Sequence, residues 1–228
     1  MSLNISGDIF EIVSADSVQV YRFMDIGSNK PENTELQKVK HYNISIVNPD
    51  YHFTAGDFCE RSLKACKEIF NKNKYPLLVG GTGFYIDSFL NGIDEIPDIE
   101  GSIRDTISSE YDEFGGEALY NVLKNADPEY ALKIHKNDKQ RIIRGLSVFR
   151  ATGRPITSYF SGLKKNKNSD VLYIGINMGK DQLYKRIDER VDLMIKKGLV
   201  DEVYCLRSLG YHPGLNSMKS IGYAEINN

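Results

Sequence analysis

Long apolar runs are missing from these 228 residues: no stretch approaches 18 consecutive apolar residues, which excludes a transmembrane helix of ordinary length. Basic residues are missing from the opening "MSLNISGDIF", where a secretory leader would carry them ahead of an apolar segment. A cytoplasmic protein with no membrane partner is therefore expected. Cysteine is scarce, and Cys59, Cys66 and Cys205 lack the spacing of a metal site. The first two fall seven residues apart in a helical pattern, where small buried thiols are the simpler reading. No excess of one charge is present either, since the net charge of −2 argues against a protein that is basic all over. A local patch can still supply phosphate contacts. The charge is in fact uneven, because "KIHKNDKQRIIR" (133–144) holds five Lys or Arg against one Asp.

Internal repeats and low-complexity tracts are absent, and the apolar content of 41% suits one large domain or a core carrying an inserted smaller one. Strand and helix patterns alternate, which predicts an α/β core around a parallel sheet. "FEIVSAD" and "NISIV" (43–47) read as short buried strands. "TAGDFCERSLKACKEIFNKN" reads as a helix capped by Thr54 with Asp57 three residues on, its apolar face formed by Cys59, Leu63, Cys66 and Phe70. "YPLLVGGTGFY" gives a strand at Leu77 to Val79, a glycine turn, and a helix from about Phe84.

After Pro97 the patterns are helical to about Lys165. Ile142, Leu146 and Phe149 form an apolar stripe with Gln140, Arg141 and Arg144 off it, and Gly153 and Pro155 stop the helix. "GLKKNKNSD" reads as a polar loop and "VLYIGINM" as a core strand. A helix with Leu183, Ile187, Val191 and Met194 in register follows, ending at Gly198. The expected organisation is a first core segment (1–97), a helical insertion (98–165) and a second core segment (166–228).

Three features could carry chemistry, and each has a plainer alternative. Gly80, Gly81, Thr82 and Gly83 lie between a strand and a helix, where glycines admit close approach of a ligand and the helix start attracts anions. A tight turn without a ligand fits them as well. No Gly-Lys-Ser/Thr follows them, so they form no Walker A loop, and they do not match Gly-x-Gly-x-x-Gly. Asp16 stands where a buried strand stops, at the end of the sheet where ligands bind in open α/β folds. A carboxylate there can be a general base, a metal ligand or a helix cap. Arg141 and Arg144 suit bidentate phosphate contacts, but a solvated basic face is the plain alternative.

Taken in order, "SADSVQVYRFMDIGSNKP", "HYNISIVNPD", "TAGDF", "PLLVGGTGFYIDSFL", "NDKQRIIRGLSVFRATGRPIT", "IGINMGKDQLYKRIDERVDLMIKKGLVDEV" and "IGYAE" resemble the tRNA dimethylallyltransferase family. The resemblance runs from about Glu11 to the end of the chain. It implies a P-loop NTPase-like parallel-sheet core with an inserted helical subdomain. The activity it implies is transfer of a dimethylallyl group from its diphosphate to the exocyclic amine of the adenosine just 3′ of a tRNA anticodon. Mg²⁺ is the implied cofactor, with a tRNA anticodon stem-loop and dimethylallyl diphosphate as partners and a monomer as the expected state.

By the same resemblance Asp16 is the general base and Thr82 a polar contact at the reacting centre. Asp16, Ser17, Val18 and Gln19 contact tRNA around the target base. Arg104 and the run Gln140, Arg141, Ile142, Ile143 and Arg144 contact tRNA from the insertion, and Lys219 lies where a basic residue approaches the diphosphate. Tyr21, Phe84 and Tyr85 could wall a base pocket, with core packing the simpler reading for at least two of them.

The family pattern carries a Gly-x-Thr-x-x-Gly-Lys-Ser/Thr loop ahead of "SADS", and no such loop occurs in these residues. Weak binding of the diphosphate donor by the 228 residues alone is therefore expected. Two other readings stay open: an adenylate isopentenyltransferase acting on free nucleotide, and a non-catalytic RNA-binding remnant.

Overall fold

Phe10–Ser14 (β1) places four of its five residues out of solvent, the pattern of a strand flanked on both edges and covered on both faces. The computed structural model describes residues 7–160 and 170–227. In it β1 pairs in parallel with His41–Tyr42 (β2) on one side and Tyr75–Val79 (β3) on the other, giving the order β2-β1-β3. Ile12 lies opposite both His41 and Leu77, and Ser14 opposite Val79. The short helix Asn33–Lys38 (α1) leads into β2, and Ala55–Asn71 (α2) crosses from β2 to β3. Thr54 caps α2 as expected, with Thr54 and Asp57 closing a reciprocal capping box. Gly83–Asn91 (α3) leaves β3 through the glycine turn.

Contacts divide the chain into two compact units, one within Met1–Asn91 and Asn168–Asn228, the other Gly92–Lys167. The first holds the sheet, α1 to α3, and the helices Lys180–Lys196 (α8), Leu199–Ser208 (α9) and Tyr223–Asn227 (α10). Its main core gathers Met24, Phe58, Tyr85, Leu206, Met218 and Tyr223. The second is helical among its described residues: Gly101–Phe114 (α4), Gly116–Ala126 (α5), Pro128–Lys133 (α6) and Lys139–Thr152 (α7), around Ile107, Leu123, Ile142 and Leu146. Gly153, left-handed at φ 69°, ends α7. Among the described residues, no helix is long and apolar enough to cross a membrane.

Four expectations need correction. "NISIV" is not a strand, because Asn43 (φ 62°) and Ser45 (φ 52°) are left-handed and break the extended backbone. Val47 keeps a single bridge to Tyr21, and the buried Asn43 amide donates to Ser62 Oγ. "VLYIGINM" is not a strand either. A strand needs a ladder partner, and none of the described residues supplies one, so Leu172 and Ile174 are exposed. The buried face of α2 is Phe58, Ser62, Ala65, Cys66 and Ile69, whereas Leu63 and Phe70 point outward. The helical period was right and its phase was shifted. The register of α8 is present, but Leu183, Ile187 and Val191 are exposed and only Met194 reaches the core. The loop at 162–170 lies, but for Asp170, outside the described residues.

One ion cluster holds the start of the sheet. The buried Glu11 carboxylate accepts from Tyr42 Oη (2.9 Å), Lys72 Nζ (3.0 Å) and Lys74 Nζ (3.3 Å). Burial pushes its pKa up, but these hydrogen bonds and the charge of Lys72 hold it below the usual carboxylate value. A depressed pKa adds stability above the unfolded value of about 4.3, and that stability is lost as pH falls through the folded value. Glu11→Gln should therefore lower stability at pH 7 by roughly 1–3 kcal/mol, with the two proteins converging in acid. Denaturant unfolding at pH 7 and pH 3 checks this; a gap that persists unchanged in acid would contradict it.

Candidate functional site

The site grows from the end of β1. Ala15 donates its N–H to Val79 O (2.8 Å), and its own carbonyl accepts from Thr82 N (3.1 Å). The glycine turn is thus laced onto the strand end. Gly80 is required there, since a Cβ at this position would overlap the backbone of Ala15. With the turn seated, Thr82 Oγ1 accepts the N–H of Ser17 (3.1 Å).

Asp16 occupies the first position past the strand, half-buried. Its Oδ1 accepts from Val18 N (2.8 Å) and Gln19 N (3.2 Å), an Asx turn that fixes the side chain. Its Oδ2 has no hydrogen-bond partner among the described residues. Local capping therefore accounts for one oxygen and leaves the other available to a substrate. Gln19 is also held: its Oε1 accepts from Ser14 Oγ (3.1 Å), and its Nε2 donates to the carbonyls of Ser28 (3.3 Å) and Asn29 (3.2 Å). Val18 packs partly against the core, whereas Ser17 stays half-exposed.

Of the three aromatics expected near the site, Tyr21 and Tyr85 are buried in the core. Tyr85 stacks on Phe58 with ring centroids 4.8 Å apart, and burial raises its hydroxyl pKa to about 12. Phe84 alone is exposed. Lys219 sits in a single 3₁₀ turn, Ser217–Lys219, with its side chain in solvent. No group of three or more His, Cys, Asp or Glu that could hold a metal ion occurs among the described residues. They do not build a protein cage for Mg²⁺.

In the helical unit, Gln140 and Arg141 are exposed while Ile142 and Ile143 are buried. Those two isoleucines fill the core beneath the helix. The basic run is also less free than its composition implies. Lys133 pairs with Glu129, Lys139 with Asp112 and Arg141 with Asp138, all within 2.8 Å. Arg144 has no ion pair among the described residues and is half-buried. Burial lowers its pKa, and the neighbouring charge of Arg104 lowers it further, with Asp98 opposing. Arg104 on α4 and Arg144 on α7 thus lie close enough to feel one another's charge, a pairing suited to an anionic oxygen.

Sequence reasoning passed over Glu202 on α9. Its carboxylate accepts the backbone N–H groups of Asp25 (3.0 Å), Ile26 (2.8 Å) and Gly27 (3.2 Å), and the hydroxyl of Tyr223 (2.6 Å). No local pattern in "GLVDEV" announces a partner some 175 positions earlier.

A family model described as IPP transferase matches residues 19–228. The chain is 43% identical over 221 residues to the tRNA dimethylallyltransferase of Thermoanaerobacter pseudethanolicus, covering 95% of this chain and 70% of that protein. It is 41% identical over 228 residues to the enzyme of the same description from Clostridioides difficile, covering 99% and 73%. Among solved structures it resembles a tRNA delta(2)-isopentenylpyrophosphate transferase from Staphylococcus epidermidis at 34% identity and a TM-score of 0.63, covering 99% and 74% of the two chains. A eukaryotic dimethylallyltransferase acting on tRNA gives a TM-score of 0.75 at 25% identity, covering 94% and 55%.

Proposed function

This chain belongs to the IPP transferase family of tRNA-prenylating enzymes, and from that premise we propose that it moves a dimethylallyl group from dimethylallyl diphosphate to the exocyclic amine of the adenosine 3′ of a tRNA anticodon. The observation that carries the site reading is the Asp16 carboxylate at the end of β1, with one oxygen fixed by the backbone and the other free of partners among the described residues. The amine nitrogen forms a bond to the allylic carbon, and the carbon–oxygen bond to diphosphate breaks, its electron pair leaving with the diphosphate. The amine's proton passes to Asp16 Oδ2. An adenine amine is a poor nucleophile, which is why a positioned acceptor helps. Thr82 braces the turn by accepting the Ser17 N–H on its Oγ1. The target base must leave the anticodon stack to reach this point. Lys219 is the cation proposed for the departing diphosphate. The protein acts as a cytoplasmic monomer in this reading.

The helical insertion supplies phosphate contacts through Arg104 and Arg144, with Gln140 and Arg141 at the margin. Arg144→Ala should weaken affinity for an anticodon stem-loop by roughly 1–3 kcal/mol, the range for a charged hydrogen bond. Arg141→Ala should cost less than about 1 kcal/mol, because its exposed guanidinium already pairs with Asp138 at 2.8 Å. Filter binding across a salt series checks both, and an affinity independent of salt would contradict the electrostatic reading. Competition between AMP and an anticodon stem-loop for the full-length protein separates this function from a free-nucleotide transferase. Preferential prenylation of AMP would overturn it.

A further inference from the structure

We infer that Glu202 is a positioning residue for the reaction, acting on Asp16 from a distance through the 25–29 loop and Gln19. The inference rests on the reading of Asp16 as the general base. Three consecutive backbone N–H groups, from Asp25, Ile26 and Gly27, converge on one carboxylate, a concave donor set that would otherwise take an anion. Here the anion is a side chain from α9. Tyr223 Oη donates to the same carboxylate, and burial together with this bond raises the tyrosine's pKa. Gly27 lets the loop lie flat on that tyrosine, since a Cβ there would strike its ring and Leu199.

The loop is braced at its other end as well. Lys30 Nζ donates to the Tyr21 carbonyl and to Asp25 Oδ1 (2.6 Å), with its side chain almost fully buried. Ser28 Oγ donates to Met24 O (2.5 Å). What this braced loop presents to the site is a pair of carbonyls, Ser28 and Asn29, both of which accept from Gln19 Nε2. Gln19 in turn closes the Asx turn, its N–H on Asp16 Oδ1. Hydrogen bonds joined by the backbone of the 25–29 loop and by Gln19 itself thus connect α9 to the carboxylate at the end of β1. Every one of these bonds lies within the sheet-containing unit. If this connection slackens, Asp16 Oδ2 drifts from the amine. A displacement of about 1 Å at a reacting group can cost up to about a hundredfold in rate.

Glu202→Gln keeps the shape but replaces one acceptor oxygen by a donor, so at least one N–H or O–H loses its partner. The test is single-turnover transfer by the full-length protein at saturating donor, well below the melting midpoint of every variant. It includes Glu202→Gln, Gln19→Ala, their combination, and Asp16→Asn. The account expects Glu202→Gln to slow turnover by about tenfold to a hundredfold. Binding of the anticodon stem-loop should stay within about threefold, and amide exchange at Asp25, Ile26 and Gly27 should quicken. The double variant should be no slower than the worse single one, since both interrupt the same connection. A merely structural role would lower thermal stability without this non-additivity. Turnover of Glu202→Gln near wild type, or effects that multiply in the double variant, would overturn the inference while leaving Asp16 in place. Were Glu202→Gln not to fold, Gln19→Ala alone with unchanged turnover would overturn it. An Asp16→Asn protein with normal turnover would instead remove the reading on which it rests.

Discussion

Asp16→Asn should reduce single-turnover transfer by about 10²–10⁴-fold, the usual loss when a positioned acid or base is removed. The amide has nearly the shape of the carboxylate, and its oxygen can still accept the N–H groups of Val18 and Gln19 that now bond Oδ1. Asparagine serves as well as aspartate in such a turn, so the backbone beyond β1 should keep its course and stability should hardly change. What the amide cannot do is accept the proton of the attacking amine. Affinity for tRNA should move far less than rate, since one neutralised group among many contacts alters the complex little. Single-turnover kinetics beside a filter-binding titration measures both. Turnover within about threefold of wild type would assign Asp16 to the turn alone, because general-base loss lies well above that range.

Gly80→Ala should be the most damaging single methyl in the sheet-containing unit. The added carbon falls on the carbonyl, the carbonyl carbon and the Cα of Ala15, all backbone, so no side chain can swing aside. The turn must lift off the strand end, breaking the bond from Thr82 N to Ala15 O and withdrawing Thr82 Oγ1 from Ser17 N. A cost of roughly 2–4 kcal/mol is expected, with transfer activity falling as well because the Asp16 turn loses its brace. Gly81→Ala is the matched control: no atom lies within 4 Å of its added carbon, and a change within about 0.5 kcal/mol is expected. Denaturant unfolding of the two variants checks the contrast. Equal stability for both would mean that the turn does not depend on close approach at Gly80.

These two positions also mark what could be read from the residues. The stop of a buried strand at Asp16 was visible as a break in local pattern, and so was the glycine turn at Gly80, Gly81, Thr82 and Gly83. Local rules act over a few residues, and there they succeeded: the Thr54–Asp57 box, the stop at Gly153 and the strand before Gly80 all stand where spacing puts them. The phase of α2 was not legible, because Leu63 is as apolar as Ile69 and only the packed sheet decides which is covered. Nor was the fate of "VLYIGINM", since strand propensity specifies no partner. The charge of the α7 run could be counted but not its neutralisation, which depends on carboxylates from neighbouring turns and from α4. Glu202 was illegible for the strongest reason: its three backbone donors lie at the far end of the chain, and no periodicity links them.

The most direct test of the account is where the dimethylallyl group ends up. Full-length protein, an anticodon stem-loop and dimethylallyl diphosphate would be incubated, the RNA digested to nucleosides, and the products separated and fragmented by mass spectrometry. The account predicts a single modified adenosine, the one 3′ of the anticodon, with the added group on its exocyclic amine. A group attached at another position of the RNA, or a stem-loop left unmodified by an enzyme that prenylates free AMP, would contradict it.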